Sequence, residues 1–301
     1  MPLPLHRLRV TASTVLLAAC SVKTAPVPDR TPAQAPATYT VTKDVAYGTD
    51  PEQTMDVYLP REGGRARRPA YTVVFLHGGG YYVSDKAQEE RYIQPYLQRG
   101  VTVVNLNYRR KRGIPVATED LTLALNFLMG QQASYPMNLK RVLLSGFSAG
   151  GHIASLVAVT ANDPTYAYPL AAGIGIAGVV NFSGPVGGLD VVESVFMNHS
   201  VPIMKEIGLA LFPETVGYAP KEVTRRYEPL TYLDPKDPPF FIWQGGQDDQ
   251  VPPVTFAQFV TVLQQDTRKN VVLFVPDGRH SPSASEFEAA YTRIFEFLDQ
   301  H

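Results

Sequence analysis

Residues 145–152 read Ser-Gly-Phe-Ser-Ala-Gly-Gly-His, which sets Ser148 between Gly146 and Gly150 with bulk removed on both sides. A serine hydroxyl is a weak nucleophile until a base takes its proton and the backbone holds it clear of its neighbours. Glycines at these two positions permit a tight turn from a strand into a helix, with the hydroxyl at its apex. The flanks fit: the apolar run Val142-Leu143-Leu144 precedes the turn, and the helix-like stretch AGGHIASLVAVT follows it. At a helix N-terminus, developing negative charge is also stabilised. The chemistry to look for is attack on a carbonyl carbon. It needs a base, an acid to orient that base, and donors for the oxyanion.

His77-Gly78-Gly79-Gly80 closes the apolar run VVFLH. Its glycines free backbone N–H groups to face a ligand, so the amides of Gly79 and Gly80, with that of Ala149 behind the serine, are the expected oxyanion hole. Losing one such donor costs about 10²–10³ in rate. The base must be one of six histidines. His6 lies in an N-terminal leader-like segment and His301 at the terminus. His77 belongs to the glycine loop and is expected to brace the turn. His152, one helical turn past Ser148, is expected to be structural, and His199 falls in a long insertion. His280, in PDGRHS, is left as the base. The orienting acid is expected between Ser148 and His280, where FFIWQGGQDDQVPP offers Asp248 and Asp249 side by side. A local kink could present either. Tyr81, Tyr82 and Phe147 flank the motifs, where they either line a substrate pocket or pack beneath the loop.

The elements that must hold these groups alternate along the chain. Short apolar runs at 39–46, 54–59, 71–77, 101–107, 141–146, 175–183, 239–244 and 271–276 read as strands, the last six as fully buried ones. Helical stretches are expected at 85–99, 117–131, 149–161, 253–266 and 284–300. This alternation predicts an α/β fold, with a mostly parallel eight-stranded sheet covered by helices on both faces. Residues 184–235 break the rhythm, and more than 50 residues is too long for a simple connection. They are read as a cap insertion over the site. The basic run REGGRARRP at 61–69 reads as a solvated hairpin loop, and Trp243 as core.

The chain has 301 residues and a net charge of −1, which leaves no electrostatic footprint for nucleic acid. No metal cluster or phosphate loop is visible, so no cofactor is expected. The single cysteine, Cys20, excludes an intramolecular disulfide. It follows His6, Arg7, Arg9 and an apolar run from Val10 to Ala19, the layout of an export signal over residues 1–19. Leu17-Ala18-Ala19-Cys20 resembles the lipobox of bacterial lipoproteins, which implies lipidation at Cys20. With Ser21 next, it also implies anchoring in the cell envelope, at the outer membrane facing the periplasm. Residues 20–37 are rich in Pro and Ala and read as a tether, which leaves 38–301 as one domain.

From about Thr38 onward the chain resembles the α/β-hydrolase carboxylesterases of the hormone-sensitive-lipase-like and feruloyl-esterase-like groups, a branch that includes kynurenine formamidases. Besides the motifs above, NLNYRR followed by PVATEDLTLALNFL is similar to that family's YR…P…A…D…A segment. The family pattern HG-x-x-D-x-x-VP aligns Gly245 and Val251-Pro252 so that Asp248 is the acid. The resemblance implies a Ser148–Asp248–His280 triad in the family's chain order, an acyl-enzyme, and a small ester substrate. Amide or formamide hydrolysis, a peptidase, and a non-catalytic binding protein remain as alternatives. Two departures stand out: no N-terminal helical cap precedes the first strand, and Ser281-Pro282 replaces the usual Gly-Phe after the histidine.

Overall fold

The computed structural model describes residues 38–62, 65–66, 70–265 and 270–300. The expected signal at 1–19, Cys20 and the tether at 20–37 lie outside the described residues, as do His6 and His301. One sheet organises the rest. Strands β1 (Thr38–Ala46) and β2 (Thr54–Glu62) form an antiparallel hairpin, and β2 pairs antiparallel with β5 (Thr102–Leu106). From β5 onward the pairing is parallel, through β4 (Thr72–Leu76), β6 (Val142–Phe147), β7 (Ile176–Phe182), β8 (Phe240–Gly245) and β9 (Val271–Val275). All eight expected strands are present. A ninth, β3 (Arg65–Ala66), pairs back on β2, so the basic run 61–69 is partly strand rather than a plain loop.

Every residue of β4, β5, β6 and β8 is buried, as their continuous apolar character predicts for strands with neighbours on both sides. The expectation of full burial fails for β9. It pairs only with β8 and forms the sheet's edge, and Phe274 is 47% exposed there. Alternate residues serve opposite faces. Val74, Leu76, Leu144 and Ile242 join one core with α2 (Gly113–Gly130), α3 (Ala149–Thr160) and α7 (Val254–Gln264). Val73, Phe75, Leu143 and Trp243 join the other, beneath α1 (Gln94–Gln98) and α8 (Ala284–Asp299). A capping box starts α8: Ser283 accepts from the Glu286 N–H, and the Glu286 side chain accepts from the Ser283 N–H. That fixes the chain direction just after His280.

The helix expected at 85–99 is cut short to a 3₁₀ turn at Glu90–Tyr92 followed by α1. Side chains of β5 and its exit claim the backbone before it. The Lys86 N–H donates to Asn107 Oδ1 (2.7 Å), and Asn105 donates to the Lys86 carbonyl (2.8 Å). The Lys86 ammonium is held by Asp44 (2.7 Å) and the buried Asp56 (3.0 Å). These groups are therefore not free for a helical ladder. Helix α2 starts earlier than expected, with Pro115 in the first turn, where its missing N–H costs nothing.

Residues 184–235 carry α4 (Leu189–Met197), α5 (Pro202–Leu211), α6 (Lys221–Arg225) and a 3₁₀ turn at Pro229–Thr231. Helix α5 packs on the glycine loop so closely that a Cβ on Gly80 would overlap Ile207.

One buried carboxylate ties the rim of the sheet together. Asp120 on α2 accepts from the Arg109 backbone N–H (2.7 Å), from its guanidinium (2.7 and 2.9 Å), and from Gln53 (2.8 Å). Two residues on, the Lys111 N–H donates to the Tyr81 carbonyl in the glycine loop (2.7 Å). Asp120→Ala leaves the Arg109 N–H and guanidinium and the Gln53 amide without this acceptor. It is expected to cost roughly 3 kcal/mol, read as a lowered urea midpoint with an unchanged slope.

Candidate active site

Ser148 stands between β6 and α3 with φ 52° and ψ −119°, a conformation that L-residues rarely adopt and that costs about 1–3 kcal/mol. The surroundings impose it. The Ser148 N–H donates to the Phe182 carbonyl of β7 (2.7 Å), and three glycines let backbone segments touch. A Cβ on Gly146 would overlap Gly150, and one on Gly150 would overlap the carbonyls of Leu76 and His77. One on Gly184 would overlap Ser148 and His152. The elbow thus brings the end of β4, the turn after β7 and the start of α3 into backbone contact.

The chain brings together the residues expected from spacing. His280 Nε2 lies 2.9 Å from Ser148 Oγ, and His280 Nδ1 lies 2.8 Å from Asp248 Oδ2. All three side chains are buried. Of the two adjacent carboxylates, Asp248 is the one that faces His280. Its Oδ1 accepts from the N–H groups of Gln250 (3.0 Å) and Val251 (2.9 Å), which turns the other oxygen to His280, whereas Asp249 is exposed. With the carboxylate accepting at Nδ1–H, Nε2 is the free lone pair facing the serine hydroxyl.

Two other positioning groups were missed by the sequence reading. Ser183, with φ 54°, donates its hydroxyl to the His280 carbonyl (2.8 Å) and so fixes the base from behind. Asn181 accepts from the Gly184 N–H (2.7 Å) and donates to its carbonyl (3.0 Å), shaping that turn. A buried Asn three residues before a glycine at a strand end is the pattern that could have pointed to it.

Gly79 and Gly80 have φ of 97° and 59°, which reverses the chain after β4. The N–H groups of Gly79, Gly80 and Ala149 donate no hydrogen bond among the described residues, and Ala149, first in its helix, has no intrahelical acceptor. Among the described residues these three donors have no partner. His77 braces this loop as expected: Nδ1–H donates to the Gly78 carbonyl (2.7 Å), and the ring stacks on Tyr108 at 4.3 Å. Tyr108 donates to the carbonyls of His77 (3.0 Å) and Gly78 (3.1 Å).

The flanking aromatics divide. Tyr82 is half-buried beneath the Lys111 ammonium, 4.9 Å from its ring centre. Tyr81 points inward instead, 3% exposed, and bonds His152. Phe147 packs between His280 (5.1 Å) and Tyr92 (5.1 Å), beneath the base rather than along an open wall. His199 lies at the surface, where its Nδ1 accepts from the Val201 N–H (3.0 Å). Among the described residues no group of three or more His, Cys, Asp and Glu could hold a metal ion. No described helix is long and apolar enough to cross a membrane.

The chain has relatives among known proteins. The family model for BD-FAE matches residues 55–263. The Arabidopsis thaliana protein named "Probable isoprenylcysteine alpha-carbonyl methylesterase ICMEL1" is 24% identical over 80% of this chain and 51% of its own length. Esterase LipC of Mycobacterium tuberculosis is 26% identical over 85% of this chain and 64% of its own. The chain thus spans about half to two thirds of the length of these relatives. The solved structure of esterase B from Lactobacillus rhamnosis superposes with a TM-score of 0.66 at 19% identity, covering 88% of this chain and 87% of that one.

Burial pushes His77 and His152 down to about 4 from the ordinary 6.5. The unfolded chain takes up these protons as pH falls through 6.5, and the folded chain does so only near 4. Stability from both is present above that window and is lost on descending it, at about 1.4 kcal/mol per pH unit per histidine. Urea midpoints should therefore fall steeply between about pH 6.5 and 4, and less steeply in His152→Gln. Equal slopes in the two proteins would refute the account.

Proposed function

The chain belongs to the BD-FAE family and has the α/β-hydrolase fold, and on that premise we propose that it is a serine carboxylesterase acting on small or short-chain acyl esters. The observation that carries this reading is the hydrogen-bonded run from Ser148 through His280 to Asp248, at 2.9 and 2.8 Å. In the proposed mechanism the Ser148 oxygen bonds to the ester carbonyl carbon while its proton passes to His280 Nε2. The oxyanion is met by the amides of Gly79, Gly80 and Ala149. Asp248 keeps the imidazole in the right tautomer and stabilises its charged form. Collapse breaks the carbon–oxygen bond to the alcohol, which leaves with the proton from Nε2, and an acyl-enzyme remains. Water, deprotonated by His280, then releases the acid.

Support for an ester comes from relatives and neighbours that carry that activity in their names, LipC and esterase B among them. Support for a small acyl group comes from Ile207 of α5, which closes on Gly80 and limits the space over the glycine loop. The reading extends to location. The basic and apolar segment before Cys20 favours export, with the chain held at an envelope membrane by lipid on that cysteine.

Hydrolysis of p-nitrophenyl esters from acetate to palmitate is the direct test. Turnover is expected to fall beyond roughly C4–C6 and to vanish in Ser148→Ala. Asp248→Asn should lose about 10⁴ in kcat, as expected for a wrongly held imidazole, with Asp249→Asn near wild type. Turnover of N-formyl aromatic amines but of no ester would transfer the same triad to formamides. For location, radiolabelled palmitate fed to expressing cells should label the wild type and not Cys20→Ser. Label retained in that variant would sink the anchor.

A further inference from the structure

His152 lies one turn along α3 from Ser148, and its own N–H donates to the Ser148 carbonyl (3.0 Å). Its ring is fully buried, and both nitrogens are engaged. Nε2 lies 2.6 Å from the Tyr227 carbonyl, which can only accept, so Nε2 carries the proton. Nδ1 is then a bare lone pair, and it accepts from the Tyr81 hydroxyl at 2.7 Å. The two rings meet edge-on at 5.9 Å and 89°. Burial keeps the imidazole neutral and raises the Tyr81 phenol. Only one proton arrangement is therefore available: Tyr81 to His152, and His152 to Tyr227.

The two ends of this relay matter for the site. Tyr81 is the residue directly after Gly79-Gly80 and has φ 61°, so its peptide is held in a conformation it would not choose alone. Its carbonyl accepts from the Lys111 N–H (2.7 Å), and the N–H groups of Tyr82 and Val83 fold back onto the Gly79 carbonyl (both 3.0 Å). The planes carrying the two glycine amides thus hang from Tyr81. At the far end, Tyr227 belongs to the insertion, where its ring meets Phe212 at the end of α5 (5.9 Å).

We propose that Tyr81 and His152 are positioning residues for the oxyanion hole: the relay from Tyr81 through His152 to the Tyr227 carbonyl locks the left-handed turn that aims the Gly79 and Gly80 amides, using the insertion as its anchor. The proposal rests on the ester-hydrolase reading. It makes the histidine of SAGGH part of the machinery without contact to substrate.

The test compares wild type, Ser148→Ala, Tyr81→Phe, His152→Leu and His152→Gln. The glutamine amide offers an acceptor and a donor spaced much as the imidazole nitrogens are. Each is assayed with p-nitrophenyl acetate and for inhibition by an alkyl trifluoromethyl ketone. The hemiketal oxygen that forms on Ser148 occupies the oxyanion hole, so this probe reads the hole itself. Tyr81→Phe is expected to lower kcat by about 10–100-fold, short of losing a donor outright, with KM changed less than threefold. Ketone affinity should fall in proportion, with the protein still folded by circular dichroism. His152→Leu should match or exceed that loss, and His152→Gln should recover at least a third of wild-type kcat. A folded Tyr81→Phe with kcat within twofold of wild type overturns the relay, as does a kcat loss with unchanged ketone affinity. Absence of wild-type turnover on esters and N-formyl amines alike overturns the hydrolase reading and the relay together, so the two failures are distinguishable.

Discussion

The close approach of backbone to backbone around Ser148 is the constraint from which the rest of the site follows. Helix α3 begins within van der Waals reach of the end of β4, because Gly150 has no Cβ to meet the carbonyls of Leu76 and His77. The same approach forces Ser148 to φ 52° and lifts its hydroxyl out of the turn. A strained serine costs about 1–3 kcal/mol, small beside the apolar surface buried by the central strands. The sheet can hold the strain because β4 and β6 are buried along their whole length and paired in unbroken parallel register, from Thr72↔Val142 to Leu76↔Gly146.

Three histidines surround this point, and their bonding separates their tasks. His280 faces a carboxylate at Nδ1, a partner that would stabilise a positive charge on the ring. His77 and His152 face carbonyls and a phenol, with no carboxylate bonded to either ring. Burial without an opposite charge keeps the His77 and His152 imidazoles neutral. One residue type thus occupies three different settings, told apart by the groups that face each ring.

The insertion between β7 and β8 belongs to this constraint. Its helices meet the glycine loop at Ile207 and reach α3 at the Tyr227 carbonyl. The β5 exit meets the loop from the other side, through Lys111, and is itself held by Asp120 and Arg109. The glycine loop is therefore clamped from both sides, while the amides of Gly79 and Gly80 have no partner among the described residues.

The turn around Ser148, the glycine loop, the succession of strands along the chain and the α/β class were legible in the sequence, since each rests on a local property. Glycine spacing reports where the backbone must be permissive, and apolar periodicity reports which segments are strands. The spacing of GFSAG and HGGG therefore determined the chemistry to look for. Tertiary structure decided what depends on distant partners. His280 meets Ser148 across 132 residues. Asp248 rather than Asp249 faces it because the N–H groups of Gln250 and Val251 hold one oxygen away. The expected helix does not start at 85 because Asn105 and Asn107 take the backbone bonds of Lys86, and β9 is half-exposed because no described strand pairs beyond it. Tyr81 and His152 acquire their joint role only when β4, α3 and the insertion converge. No local pattern records that meeting, because a hydrogen bond between segments is decided by the fold that brings them within 3 Å.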